Sequence, residues 1–203
     1  RDGVSRLYKD LIELNKNDNK DTLAKPKNLV DTFRTLSLEQ VSFRYPKMSQ
    51  LALNEVSMKI IEGESIGFIG PSGSGKTTLV DVLLGLLEPQ HGAIFFNVQT
   101  LNDSLANWRT QIAYLPQDVF LTDNTLRCNV ALGVPESKID NARLIEALRQ
   151  ARLAELVEQL PDGIDTFLGE RGIRLSGGQK QRVALARAFY HERNILVLDE
   201  ATS

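Results

Sequence analysis

The chain has 203 residues, of which 42% are hydrophobic, 25% charged and 6% aromatic, proportions that suit a globular domain with one core and room for a smaller second one. Lys and Arg number 24 against 26 Asp and Glu, a net charge of -2 that excludes a general basic surface for nucleic acid or anionic membrane. A single cysteine, Cys128, excludes an internal disulfide, and the most apolar run, Leu79 to Leu87, is broken by Asp81 and Gly85 and is far shorter than the ~20 residues of a membrane-spanning helix.

In chain order, Val4, Leu7, Leu11 and Leu14 recur at near-helical spacing and predict an amphipathic helix, with a frayed arm as the alternative. Asn15 to Asn28 is dominated by Asn, Lys and Asp and reads as a polar linker. The chain opens on Arg1 and closes at Ser203, shortly after an apolar strand, so both ends read as cut from a longer polypeptide. Leu36 to Tyr45 is a strand whose apolar positions Leu36, Leu38, Val41 and Phe43 are only approximately in phase. Val56 to Ile61 is a second strand, with Val56, Met58 and Ile60 on one face, and the short apolar run Ser65 to Ile69, flanked by glycines, reads as a buried strand.

Next comes Gly70-Pro71-Ser72-Gly73-Ser74-Gly75-Lys76-Thr77, a full match to the phosphate-loop pattern G-x-x-x-x-G-K-[ST]. Its glycines let the backbone turn and approach a ligand closely. The N–H groups from Ser72 through Ser74 to Thr77 then converge on an anion at the positive end of the following helix. Lys76 brings a point charge to the β- and γ-phosphates, and the Thr77 hydroxyl is placed to ligate Mg²⁺. The loop follows an apolar strand and opens an apolar helix, Lys76 to Leu87, which is the setting the motif requires.

Two strands follow, Ala93 to Asn97 and Ile112 to Leu115; then Ser137 to Leu160 reads as helical throughout, with Leu144, Leu148, Leu153, Leu156 and Leu160 as its apolar positions and Pro161 closing it. Gln179 to Tyr190 is an Ala-rich helix. Ile195 to Leu198 is a wholly apolar strand that ends in Asp199-Glu200. Ligands of doubly wound sheets sit at strand C-terminal ends, so Asp199 is expected to face the phosphate loop and hold Mg²⁺, and Glu200 to orient or deprotonate a water for in-line attack on the γ-phosphorus. The sum of these elements is an α/β domain.

The pentapeptide Leu175-Ser176-Gly177-Gly178-Gln179, followed by Lys180-Gln181-Arg182 and a helix, resembles the signature of the ATP-binding-cassette (ABC) ATPases. With the phosphate loop upstream, the resemblance spans Leu36 to Ser203. It implies a P-loop NTPase (RecA-like) core with an antiparallel β subdomain and an inserted α-helical subdomain over about 118–178. It implies ATP and Mg²⁺ as ligands, Tyr45 stacked on adenine, Thr78 among the nucleotide-binding residues beside Thr77, and Gln117, in Tyr114-Leu115-Pro116-Gln117, touching Mg²⁺ and water. A Ser-Gly-Gly turn that opens a helix is itself an anion site. The family's head-to-tail dimer would bring Ser176, Gly178 and Gln179 of one copy onto ATP held by the loop of the other.

Gly169-Glu170-Arg171-Gly172 resembles the short loop of the exporter branch that contacts the transmembrane domain. The resemblance therefore implies an ATPase domain on the cytoplasmic face of a membrane, with residues 1–35 descending from a transmembrane domain upstream, residues 36–203 forming an incomplete ATPase domain, and no nucleic acid as partner. A soluble ABC-family ATPase acting on ribosomes or other macromolecules is the alternative. The overall similarity is to exporters that flip lipids or lipid-linked sugars. The family's switch histidine and interface loop fall beyond Ser203, together with the last strands of the central sheet, and neither His91 nor His191 can replace that histidine. Asn97-Val98-Gln99-Thr100 departs from the usual Asp-Gly turn and predicts a different hairpin. Phe120 and Leu121 are satellite core or a docking patch, the two histidines are surface residues, and Cys128 is a small buried apolar residue.

Overall fold

The computed structural model describes residues 32–169 and 173–199. The helix and linker readings at residues 4–28, residues 170–172 of the short loop, and Glu200 to Ser203 lie outside the described residues. Strands β1 (Thr35–Phe43), β2 (Leu53–Ile61), β3 (His91–Phe96) and β4 (Gln99–Thr100) form an antiparallel sheet in the order β2-β1-β3-β4. The imperfect phase of β1 has a physical cause. Its register against β2 slips between Leu38 and Val41, with Gln40 at φ 49°, and slips back before Phe43, with Glu55 of β2 also at φ 49°. Two compensating bulges keep Leu36, Leu38, Val41 and Phe43 all on the buried face. Each bulged N–H is satisfied by a serine on the facing strand: Gln40 N–H donates to Ser57 Oγ (2.9 Å) and Glu55 N–H to Ser42 Oγ (2.9 Å). Gly92 of β3 sits beneath the first bulge at φ +81°, where a Cβ would strike the carbonyl oxygens of Glu39 and Gln40.

The helix after the phosphate loop, α1 (Lys76–Leu83), is shorter than the expected Lys76 to Leu87. Leu86 N–H donates to Asp81 O (2.9 Å) and Gly85 N–H to Val82 O (3.1 Å), the paired bonds of a Schellman stop. Leu79, Val82 and Leu83 pack into one cluster with the buried face of the sheet, and Trp108, 1% exposed, donates Nε1–H to Leu83 O (2.8 Å). Trp108 belongs to α2 (Leu101–Gln111), a helix the sequence reading did not single out, whose start is capped by Thr100 accepting from Asp103 N–H. The β3–β4 hairpin turns on Asn97 at φ 56°, and the Asn97 side chain accepts from Arg34 and Thr35 N–H and donates to Thr32 O. The expected departure from an Asp-Gly turn is therefore what forms.

Strands β5 (Ile112–Leu115) and β6 (Ile195–Leu198) pair in parallel, with Tyr114 opposite Val197 and Leu115 opposite Leu198. A second core gathers around helices α3 (Leu126–Val130), α4 (Asn141–Gln150), α5 (Ala154–Gln159) and α6 (Gly177–Tyr190). The long helix expected over Ser137 to Leu160 is broken. Asp140 caps α4 by accepting from Arg143 N–H, and Arg152 takes φ 57° between α4 and α5, which lets Leu144, Leu148, Leu153 and Leu160 all reach one core. Apolar spacing reports burial, and two short helices bury the same leucines as one long one. Leu121 packs against this core, as a satellite core residue would, whereas Phe120 is 74% exposed. His91 is exposed, Cys128 is half-buried on α3, and His191, at the α6 C-cap, is half-buried, its imidazole lowered by that burial and by Arg193.

Ser65 to Ile69 is the clearest departure. The segment has no regular secondary structure and pairs with no strand among the described residues, and Ile66, Phe68 and Ile69 are exposed, Ile69 fully. Leu196 and Leu198 of β6 are likewise exposed. An apolar run announces a buried strand but cannot supply its own ladder partners, and burial follows pairing. Gly92→Ala is expected to destabilise the domain by about 2–3 kcal/mol, because it adds a methyl against two carbonyls at a positive φ. A fall of roughly 5–10 °C in the thermal midpoint would be the readout.

Candidate functional site

Gly70 to Gly75 forms an exposed loop tightened by Ser74 N–H donating to Pro71 O (3.2 Å). Gly75 is the N-cap of α1 at φ 90°, and a Cβ there would lie 2.5 Å from Ala52 O, so no other residue fits without moving β2's approach. The first bond of the helix runs from Leu79 N–H to Gly75 O (2.8 Å). The N–H groups of Lys76, Thr77 and Thr78 therefore have no helical acceptor, and α1 carries neither a side-chain cap nor an acid in its first turn. A helix end left in this state is an anion site by its own partial charge. Lys76 adds the full charge: its Nζ donates to Gly70 O (2.8 Å) and Pro71 O (2.9 Å), arching over the loop where the anion would lie. Ser72, Gly73 and Thr77 are exposed beside it.

Other predicted residues reach the same helix. The Tyr45 hydroxyl lies 3.2 Å from Thr78 Oγ1, and its ring stands edge-on to Phe43 at 5.0 Å, which leaves Tyr45 38% exposed next to the loop. Thr78 itself is buried, so its side chain serves this contact. Thr77 and Asp81 are one turn apart on α1 and share a face. The Asp81 carboxyl is raised above the ordinary carboxylate range, first by burial and then by the charge of Asp199. Asp199 follows β6, with its N–H bound to Leu115 O (3.1 Å) and its Oδ2 accepting from the Tyr114 hydroxyl (3.0 Å). Tyr114 is raised as well, by burial first and then by this bond to Asp199. The face of α1 that carries Thr77 and Asp81 is thus the face near Asp199, although β6 lies more than a hundred residues further along the chain. Gln117 is exposed just beyond β5.

Ser176 opens α6 with a capping box: its Oγ accepts from Gln179 N–H (3.3 Å), and Gln179 Oε1 accepts from Ser176 N–H (2.8 Å). The Ser176 hydroxyl keeps its own hydrogen to donate, and Gly177 and Gly178 stand exposed beside it. Among the described residues no hydrogen bond joins this end of α6 to the phosphate loop; Leu175 packs in the helical core and Leu79 in the sheet core. A buried polar hub ties α6 to the segment after Gln117. Asn129, 0% exposed, accepts from Thr122 N–H (2.9 Å) and donates to Thr122, Asn124 and Thr125 carbonyls, while Arg187 of α6 donates to Asn129 O (2.6 Å) and Oδ1 (3.2 Å). Burial lowers the Arg187 guanidinium's affinity for its proton.

Residues 53–203 match the family described as "ABC transporter". The chain belongs to the ABC transporter family. The matched segment is an ATP-binding domain of that family. Relatives include the "ATP-dependent lipid A-core flippase" of Cupriavidus metallidurans, 47% identical over 170 residues, or 83% of this chain and 29% of that protein. The "Uncharacterized ABC transporter ATP-binding protein YwjA" of Bacillus subtilis is 45% identical over 169 residues, 81% of this chain and 28% of that one. Among solved structures, "Structure of a bacterial Atm1-family ABC exporter with ATP bound" superposes with a TM-score of 0.77 at 33% identity, covering 90% of this chain and 31% of that one. The chain thus spans less than a third of the length of these relatives.

Sequence reasoning missed Tyr114, Asp81 and the Asn129–Arg187 hub. A signal existed for the first, since Tyr114 is the polar-tipped position in Ile112-Ala113-Tyr114-Leu115 nearest the acid pair's strand, but its partner is 85 residues away. A surface groove lined by Leu86, Leu87, Thr100, Leu101 and Leu105 lies at the C-terminal end of α1, away from the loop. Gly75→Ala is expected to weaken ATP binding at least about tenfold in calorimetry, because a Cβ against Ala52 O displaces the first turn whose N–H groups make the cradle.

Proposed function

We propose that this chain is the ATP-binding and ATP-hydrolysing domain of an exporter, acting on the cytoplasmic face of a membrane and powering transport by ATP-driven closure of two such domains. The observation that supports this best is an uncapped, lysine-covered helix start whose Asp81, one turn beyond Thr77, feels the charge of Asp199 at a parallel strand's C-terminal end. That pairing suits a nucleotide triphosphate with a hard cation. Gly70, Ser72, Gly73, Ser74, Gly75, Lys76, Thr77 and Thr78 would cradle the phosphates, and Tyr45 would lie under adenine. Thr77, Gln117 and Asp199 would hold Mg²⁺, whose chemistry when bound is to neutralise charge on the β- and γ-phosphate oxygens. Among the described residues no three His, Cys, Asp or Glu gather as a metal cluster, and a magnesium ion held by one carboxylate together with neutral oxygens and phosphates does not need one.

In hydrolysis, Lys76 stabilises the charge that develops on the γ-phosphoryl group, Gln117 orients the attacking water, and Glu200 takes its proton. A second copy, related head to tail, would add the Ser176 hydroxyl, Gly178 N–H and Gln179 amide from the start of its α6. The exposure of that helix start supports such a contact. No helix among the described residues is long and apolar enough to cross a membrane. A transmembrane domain preceding residues 1–35 would convert closure into transport, and residues 36–203 would form the ATPase domain with its helical part at about 118–178. The names of the relatives favour a lipid as the transported class and give the soluble alternative no support.

Two outcomes test this in the intact protein. Lys76→Ala should lower ATP affinity at least about tenfold by calorimetry, since it removes a charge-assisted contact to phosphate; unchanged affinity removes the phosphate-loop assignment. Glu200→Gln should bind ATP normally, hydrolyse it at least about a hundredfold more slowly and accumulate as a closed dimer in size-exclusion chromatography. Phosphate release at the wild-type rate would remove Glu200 as the base.

A further inference from the structure

We infer that Tyr114 is a positioning residue for the Asp199 carboxylate, an assignment that rests on the reading of Asp199 as a Mg²⁺ ligand. The parallel register sets Tyr114 opposite Val197, and side chains alternate along a strand, so Tyr114, Val197 and Asp199 share one face. Tyr114 is therefore the diagonal neighbour of Asp199, and its O–H donates to Asp199 Oδ2 at 3.0 Å. The backbone of Asp199 is held from the same strand by its N–H bond to Leu115 O at 3.1 Å. Two adjacent residues of β5 thus grip the aspartate, one by its backbone and one by its side chain.

The chemistry of this grip suits a metal ligand. A carboxylate that accepts one hydrogen bond on Oδ2 keeps Oδ1 and further lone pairs for a cation, and the bond stops the carboxylate from rotating. Tyr114 is 40% exposed, so the residue is not there to fill a core; an apolar strand residue would pack as well. Tyr114 also stands three residues before Gln117, on the strand that delivers it. One short strand therefore sets both Asp199 and the start of the segment carrying Gln117.

Mn²⁺ is the probe for the test, added to the intact protein with a non-hydrolysable ATP analogue and followed by electron paramagnetic resonance of the free ion. Tyr114→Phe keeps the ring and removes only the donor. It is expected to weaken Mn²⁺ binding about tenfold, as loss of a ligand's outer hydrogen bond does at other metal sites. Binding of metal-free nucleotide in chelator should stay unchanged, and the Mg²⁺ concentration for half-maximal ATPase should rise by the same factor. Wild-type Mn²⁺ affinity in Tyr114→Phe overturns the assignment, and so does an equal loss of metal-free nucleotide binding, which would mark a general structural role. Asp199→Asn, measured in parallel, separates the two layers. If it loses Mn²⁺ while Tyr114→Phe keeps it, only the role of Tyr114 fails; if Asp199→Asn itself binds Mn²⁺ as wild type, the ligand reading fails and the positioning role with it.

Discussion

The site depends on a helix held hard at one end and left unsatisfied at the other. Three N–H groups at the start of α1 have no acceptor within the helix and no side-chain cap, a condition that costs free energy unless water or an anion supplies one. The remainder of the helix offsets this. Leu79, Val82 and Leu83 are buried against the sheet, and Trp108 ties the Leu83 carbonyl through its indole N–H. Burying three such side chains stabilises the helix by several kcal/mol, on the order of 2 kcal/mol each. The exposed first turn can therefore stay open without unwinding, and Lys76 folds back onto Gly70 and Pro71.

The antiparallel sheet serves that helix in turn. Its two bulges increase local twist and re-aim β1 and β2, and Ala52, at the entry to β2, is the residue that closes the space behind Gly75. Tyr45 follows β1 and contacts Thr78, so a strand of the sheet and the loop helix meet through one hydroxyl pair. The helical core is built differently. It is organised by leucines around α4 to α6 and pinned by a fully buried asparagine to a half-buried arginine that has no carboxylate among its bonded partners. A hub of this kind is costly to break, since removing Asn129 leaves the Thr122 N–H and three carbonyls without this partner and removing Arg187 leaves the Asn129 carbonyl without its donor, at about 1–3 kcal/mol for each group so orphaned. It fixes the α6 axis, and hence the direction of the Ser176 end, relative to the segment that follows Gln117.

Much of this was readable without coordinates. The phosphate loop, the helix it opens, most of the strands and the Ser-Gly-Gly helix start are local features, written in turn chemistry and in periods of two or 3.6 residues. Two misreadings share one origin. Ser137 to Leu160 carries an unbroken helical pattern, yet Arg152 turns left-handed and divides it, because leucine spacing records which residues are buried and not whether one axis carries them. Ser65 to Ile69 has the composition of a buried strand, yet burial is decided by neighbours, and none pairs with it among the described residues.

What the sequence by itself determined is the set of elements, the anion-binding loop and the residue types available for a nucleotide and its cation. Tertiary structure decided which of them meet. Thr77 and Asp81 share a helix face from helical geometry alone, but that the charge of Asp199 reaches Asp81 is decided by the tertiary structure, and that Tyr114 holds the same carboxylate follows from the parallel register of β5 on β6. The physical reason is one of range. Backbone preference and hydrophobic period act over a few residues, whereas the bond between Tyr114 and Asp199 spans 85 positions and exists only because a register slip of one residue would turn either side chain to the opposite face.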